Sequence, residues 1–327
     1  MVRQPSASYR SPILRGEPVD KETRALGPTV EDLIPSYGRH LRAEGKTTAT
    51  VDHTYLPALV RFDSFLARTG MPRHVAAIKR EHVEAYIVSM QNAGKRPATV
   101  NLAYRSLQPF WRWCVEEGEI RRSPMTNMKP PAVPVDPPEV LREEQLEVLL
   151  SSCRGNDFDS RRDLALISLL GDTGMRRGEA AGLTVDSIDW THDVVVIEGE
   201  TSKSRRGRQT RFGKGTAKAL DRYLRIRSSH FAAGSRALWL GKRGAMTGSG
   251  LLQVIERRGR AAGIEHLHPH LFRHTFAHHA LRGGMQEGDL MQLAGWRDRG
   301  MLARYGASAA AERARDHYRS PLDALKH

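Results

Sequence analysis

Apolar residues recur at helical spacing from Thr29 onward. Val30, Leu33, Ile34, Tyr37 and Leu41 share one face of a 3.6-residue period. The same test marks three further helices. Leu59, Phe62, Phe65 and Leu66 carry the second, and Val83, Tyr86, Ile87 and Met90 the third. Val100, Ala103, Leu107, Phe110, Trp111, Cys114 and Val115 carry the fourth. These predict a helical unit over residues 29–122. Residues 1–28 mix Pro, Ser, Gly and charge without periodicity and read as a mobile arm. The stretch SPMTNMKPPAVPVDPPEV (123–140) holds six prolines, which deny the chain helix continuation and sheet donors. It reads as a domain linker.

A second unit is expected over residues 141–318, with a short tail at 319–327. It begins with helical patterns in LREEQLEVLLSSC and RRDLALISLLGDTG. The β-branched run VVVIEG (194–199) predicts a strand, paired with a segment around Gln209 to Phe212. Helices follow over 216–229, 249–262, 270–283 and 287–294, and an Ala-rich helix, ASAAAERARDHYR, closes the chain. No internal repeat is visible. The predicted fold class is mainly α: an N-terminal helical domain followed by a mixed α+β domain with a small β-hairpin.

Composition sharpens this picture. With 39% hydrophobic and 27% charged residues, the chain is globular in type. No apolar run approaches the ~20 residues of a membrane helix, and the N-terminus lacks a signal-peptide pattern, so a cytoplasmic protein is expected. Cys114 and Cys153 read as small core residues. The net charge of +14 favours a polyanion, because neutralising phosphates releases condensed counterions.

Four stretches could carry chemistry. In TGMRRGEAAGL, Arg176 falls in the first turn of a helix, where a cation opposes the dipole unless an anion is bound. Glu179, three residues on, faces the same side and can orient it; a surface ion pair is the simpler alternative. In HPHLFRHTFAHH (268–279), Pro269 suits the first helical position and puts His270 and Arg273 in the first turn. Two cationic helix starts in one unit make a phosphate site, since arginine binds phosphate oxygens bidentately. His274 and His278 have zinc-like i, i+4 spacing. Yet Thr275 stands where a metalloprotease needs its Glu base, and no third ligand is spaced to help. His278 and His279 read as packing or surface residues, and no metal or other cofactor is expected.

The third stretch, SKSRRGRQTRFGKG, places six basic residues and no acid from Lys203 to Lys214. Lys203, amid so many cations, should have its neutral form favoured, which suits general-acid work; a solvated loop gripping DNA backbone is the plainer alternative. In LAGWRDRGMLARYG, Tyr305 follows Trp296 by nine residues. A phenol can pack, or attack as a nucleophile where a charged site activates it.

TGMRRGE, SK in a β-hairpin, HLFRH, LAGW and RYG, in this order, resemble the tyrosine recombinase family of phage integrases, Cre and Xer proteins. FWRWCVEEGEIRRSPM before a proline linker is similar to the end of the family's core-binding, SAM-like domain. The resemblance spans most of the chain. It implies Arg176 and Arg273 as a phosphate clamp, Lys203 as general acid, His270 as a supporting or acid–base histidine, Tyr305 as nucleophile and Glu179 as supporting acid. Trp296 stands where many members have His. An indole N–H donates a hydrogen bond but shuttles no proton, so phosphate binding is its expected task. Arg177 fills a position usually apolar or small and, with Arg205, Arg206 and Arg208, is expected to contact DNA.

The implied activity is site-specific recombination through a 3′-phosphotyrosyl intermediate, with no ATP and no metal. The implied partner is duplex DNA bearing paired inverted-repeat core sites, clamped between two domains. A monomer in solution would become a tetramer on synapsed DNA, with DNA-bending accessory proteins as further partners. The final helix would dock on a neighbouring protomer. A catalytically silent DNA-binding protein of the same fold, or a type IB topoisomerase-like nicking-closing enzyme, are the rival readings.

Overall fold

The computed structural model describes residues 27–134, 138–199, 207–296 and 298–300, together with Leu302, Tyr305, Ala314, Arg315 and Tyr318. The chain divides into two units between Pro134 and Val135. Each has its own core.

The first unit holds α1 (Val30–Ala43), α2 (Leu56–Arg68), α3 (Arg80–Asn92) and α4 (Pro97–Glu116). Helix α1 starts where the sequence requires: the Thr29 hydroxyl accepts from the Asp32 N–H while Asp32 returns a bond to the Thr29 N–H. A short π-helical turn, Val51–Tyr55, leads into α2. Tyr37, Phe62, Phe110, Trp111 and Cys114 are buried together with the predicted aliphatic positions. Val115 departs from expectation. It lies about 100° around the helix from Cys114 and is 37% exposed. Part of the proline-rich stretch packs back on α4: Asn101 donates to the Pro131 carbonyl and Tyr104 to that of Met128, both at 2.7 Å.

The second unit contains α5 (Glu143–Ser151), α6 (Phe158–Thr173) and α7 (Arg177–Ala181). Next come β1 (Ile188–Asp189), β2 (Val194–Ile197), β3 (Arg208–Arg211) and α8 (Lys214–Arg227). A hairpin of β4 (Leu240–Gly241) and β5 (Gly244–Ala245) precedes α9 (Gly248–Ala261), α10 (Pro269–Arg282) and α11 (Glu287–Ala294). The predicted hairpin is present, in the register Val194↔Arg211 to Ile197↔Arg208, with β1 antiparallel on the other edge of β2. Strands β1, β4 and β5 span two residues each, too short for an alternating pattern to be read. Helix α6 packs against both α8 and α10. Leu166, Leu170, Val195, Ile197, Leu220, Trp239, Ile255 and Phe272 fill the main core.

Asp163, fully buried on α6, accepts hydrogen bonds from Arg162, Arg257 and Arg258. Among the described residues, no helix is long and apolar enough to cross a membrane. The predicted closing helix, the N-terminal arm up to residue 26 and the tail fall largely outside the described residues.

Candidate active site

Gly174 ends α6 in the left-handed conformation, at φ +54°. A side chain there would also strike the Phe276 ring, 2.6 Å from the position of a Cβ. This sharp exit sets the following residues at the mouth of α7. Arg176 is the cap of that helix, one position earlier than the sequence suggested. Its N–H and its guanidinium both donate to Glu179, each at 2.8 Å. Glu179 therefore supplies the anion that a helix N-terminus prefers.

Glu179 holds a second arginine as well. Arg208, expected among the exposed DNA-contacting residues, has a side chain only 7% exposed. It donates to both Glu179 oxygens, at 2.9 and 2.7 Å, and to the Leu293 carbonyl at 2.9 Å. Its guanidinium thus ties β3 to α7 and α11 and is not presented to an external phosphate. Burial opposes ionisation of Glu179. The hydrogen bonds and charge of Arg208, joined by those of Arg176, overcome that and bring its pKa down to about 2.

Helix α10 is capped by His268 and begins at Pro269, so Arg273 is its fifth residue, at the start of its second turn and not in the first as expected. It is buried, and it donates to the Gly174 carbonyl at 2.8 Å and the Ala294 carbonyl at 2.6 Å. Both acceptors lie at helix C-termini, the ends that favour a cation. Three of its five N–H groups remain without a partner among the described residues. Burial, then repulsion from Arg176, lowers its pKa to about 10, so it stays charged at neutral pH.

Trp296 brings the rest together. The Arg273 guanidinium lies 5.2 Å from the centre of its ring. The Tyr305 ring stacks on it, with centroids 5.3 Å apart and planes 9° from parallel. The buried indole N–H has no hydrogen-bond partner among the described residues. Tyr305 is itself buried, in a small apolar cluster with Ala277, Leu281, Leu290, Ala294 and Leu302.

Its hydroxyl is hydrogen-bonded to Nδ1 of His274, a residue that sequence reasoning had weighed only as half of a metal-spaced pair. Its position was nevertheless legible, since i and i+4 residues lie on one face of a helix. The rings of His270 and His274 are indeed 6.5 Å apart. Partial burial, followed by His268, Arg273, Arg176 and Arg177, lowers the His270 pKa and keeps that imidazole neutral. Thr275 is buried, accepting from the Leu141 N–H. Among the described residues, no group of three His, Cys, Asp or Glu side chains is arranged to hold a metal ion.

Arg176, Glu179, Arg208, His270, Arg273, Trp296 and Tyr305 therefore form one site drawn from remote segments. Arg177 is exposed, its side chain beside Gly248 at the start of α9. Lys203, Arg205 and Arg206 lie outside the described residues.

Residues 139–312 match the phage integrase family, and residues 33–118 match the phage integrase N-terminal SAM-like domain. The chain belongs to the phage integrase family. This integrase-family chain is 31% identical to tyrosine recombinase XerC of Corynebacterium efficiens over 232 residues, 68% of this chain and 74% of the relative. It is 27% identical to XerC of Azotobacter vinelandii over 263 residues, 79% and 85% of the two chains. Among solved structures, XerH recombinase in a post-cleavage complex with a palindromic difH substrate aligns with TM-score 0.69 at 18% identity, covering 88% of this chain and 84% of that one. A lambda integrase tetramer bound to a Holliday junction aligns with TM-score 0.65 at 15% identity, covering 88% and 84%. These last two likenesses establish the integrase fold.

Proposed function

We propose that this chain is a site-specific DNA recombinase that cuts and rejoins duplex DNA through a 3′-phosphotyrosyl intermediate. The observation that carries this reading is the arrangement around Trp296: a buried guanidinium on its ring, a stacked phenol and an indole N–H with no partner among the described residues. Three guanidinium groups, of Arg176, Arg208 and Arg273, surround one carboxylate, Glu179, so the site retains positive charge for a phosphate. Family membership and the net charge of +14 support the same substrate class.

A phosphodiester resists nucleophiles because its anionic oxygens repel them. Arg176, Arg273 and the Trp296 N–H would offset the charge that grows on the non-bridging oxygens. The Tyr305 oxygen attacks phosphorus, the bond to the 5′ oxygen breaks, and Lys203 protonates that leaving group. A 5′ hydroxyl from a partner strand reverses the step, so no ATP is consumed. His270 serves as a neutral supporting histidine, and Arg177, Arg205 and Arg206 contact the DNA backbone. Glu179 and Arg208 hold the clamp in shape.

The lambda integrase tetramer on a Holliday junction and the XerH complex with palindromic DNA support a protein that works as a tetramer on paired inverted-repeat core sites; DNA-bending partners and a cytoplasmic location are part of the same proposal. A nicked suicide duplex carrying the core site tests the reading. Wild-type protein should form a covalent adduct, and Tyr305→Phe should form none. Adduct formed equally by Tyr305→Phe would overturn it, and binding without any adduct would favour a silent DNA-binding protein.

A further inference from the structure

We infer that His274 is the base that accepts the Tyr305 proton as the phenol attacks, and the acid that returns it when the DNA is resealed. The inference rests on the reading of Tyr305 as nucleophile. Tyr305 is 1% exposed, so bulk water does not reach its hydroxyl to carry the proton away. The neighbours in the site differ in what they can do. Arg176 and Arg273 are permanent cations and accept nothing, and an indole N–H is a donor only. An imidazole nitrogen takes a proton readily near neutral pH. His274 Nδ1 already touches the hydroxyl, and the two rings lie 5.5 Å apart, tilted by 40°.

In the forward step, neutral His274 carries its hydrogen on Nε2 and Nδ1 receives the phenolic proton. The Tyr305 oxygen forms its bond to phosphorus while the bond to the 5′ oxygen breaks. The imidazolium remains beside the phosphotyrosine. In the reverse step, a 5′ hydroxyl attacks, the phosphorus–phenol bond breaks, and the imidazolium returns its proton to the departing phenolate. Nothing is oxidised or reduced. His270, one turn earlier on α10, would be left for contact with the phosphate or the 5′ oxygen. Partial burial, then His268, Arg273 on the same helix, and Arg176 and Arg177 from the turn into α7, lower the pKa of the neighbouring His270.

The test measures adduct formation on the nicked suicide duplex by His274→Ala and His274→Gln. A band shift on the uncut duplex establishes that each variant is folded. The expected result is a loss of about 10²-fold in cleavage rate, in line with general acid–base contributions, with binding unchanged. The rate of the variants should then climb as pH rises from 7 to 9.5, where the wild-type rate is flat. Replacing Tyr305 by 2,3-difluorotyrosine, a more acidic phenol, should recover at least about a tenth of the lost rate in the His274 variants. Unaltered or faster cleavage overturns the inference, as does a loss that neither pH nor the fluorinated phenol restores, which would mark His274 as packing alone. Failure of the wild-type chain to form any adduct would instead sink the reading of Tyr305.

Discussion

The Arg208 guanidinium meets the Glu179 carboxylate through two hydrogen bonds, of 2.9 and 2.7 Å, with both side chains almost wholly buried. The pair links strand β3, just after the basic loop, to the turn that carries Arg176. Its electrostatics set a pH window. Glu179 ionises at about 2 in the folded chain against its ordinary 4.5. A carboxyl group with a depressed folded pKa stabilises the fold above its unfolded value and loses that contribution as pH falls. The contribution is roughly 3 kcal/mol, lost progressively between about pH 5 and pH 2. Denaturant melts across that range should show it, and Glu179→Gln should remove the pH dependence along with a large part of the stability.

Arg208→Ala leaves the buried Glu179 carboxylate with one of the two arginines that hold it among the described residues. Breaking such a pair costs about 3–5 kcal/mol, so the variant should melt well below wild type. Arg208→Lys should recover little, because an ammonium cannot span both Glu179 oxygens and the Leu293 carbonyl. Thermal melts of the two variants check this.

Trp296 carries two separable features, its stack on Tyr305 and an N–H with no partner among the described residues. Trp296→Phe keeps an aromatic face and loses the donor. Cleavage should fall by about 10²-fold, the usual effect of removing one donor to a developing oxyanion, with DNA binding retained. Trp296→His restores a donor and should recover part of the rate. Single-turnover cleavage of the suicide duplex, beside a band shift, measures both.

Much of this architecture was visible in advance. Long amphipathic helices announce themselves through period, and α11 was read at its observed bounds, Glu287–Ala294. Two cationic helix starts pointed to a shared phosphate site for Arg176 and Arg273, whereas Trp296 and Tyr305 joined them only through motif order. Arg208 was misjudged because a basic loop reads as solvated, and its partner lies 29 residues away in sequence. The Tyr305 contact of His274 was hidden for the same reason: hydrogen bonds between remote segments leave no periodic trace. At Val115 one residue of offset around the helix moves a side chain from core to solvent.

Asp163 offers a control remote from the chemistry. Asp163→Asn removes the charge that three arginines share; buried Arg162 keeps only its ion pair with Asp159, and half-buried Arg258 loses its pairing with Asp163. Stability should drop by about 3–5 kcal/mol, while cleavage per folded molecule stays at the wild-type level at low temperature. Calorimetry and adduct titration together separate the two quantities.

Gly174→Ala should be worse than its size suggests. It forces a left-handed alanine, at roughly 1–2 kcal/mol, and collides with Phe276. It also disturbs the carbonyl that holds Arg273, so cleavage should fall along with the melting temperature.

The anchorage of Arg273 has an evolutionary side. Both its acceptors, at Gly174 and Ala294, belong to the main chain, and no codon change can delete a peptide oxygen. Drift among the side chains around the clamp is thereby tolerated, and selection against lost grip concentrates on the few positions that steer the backbone itself.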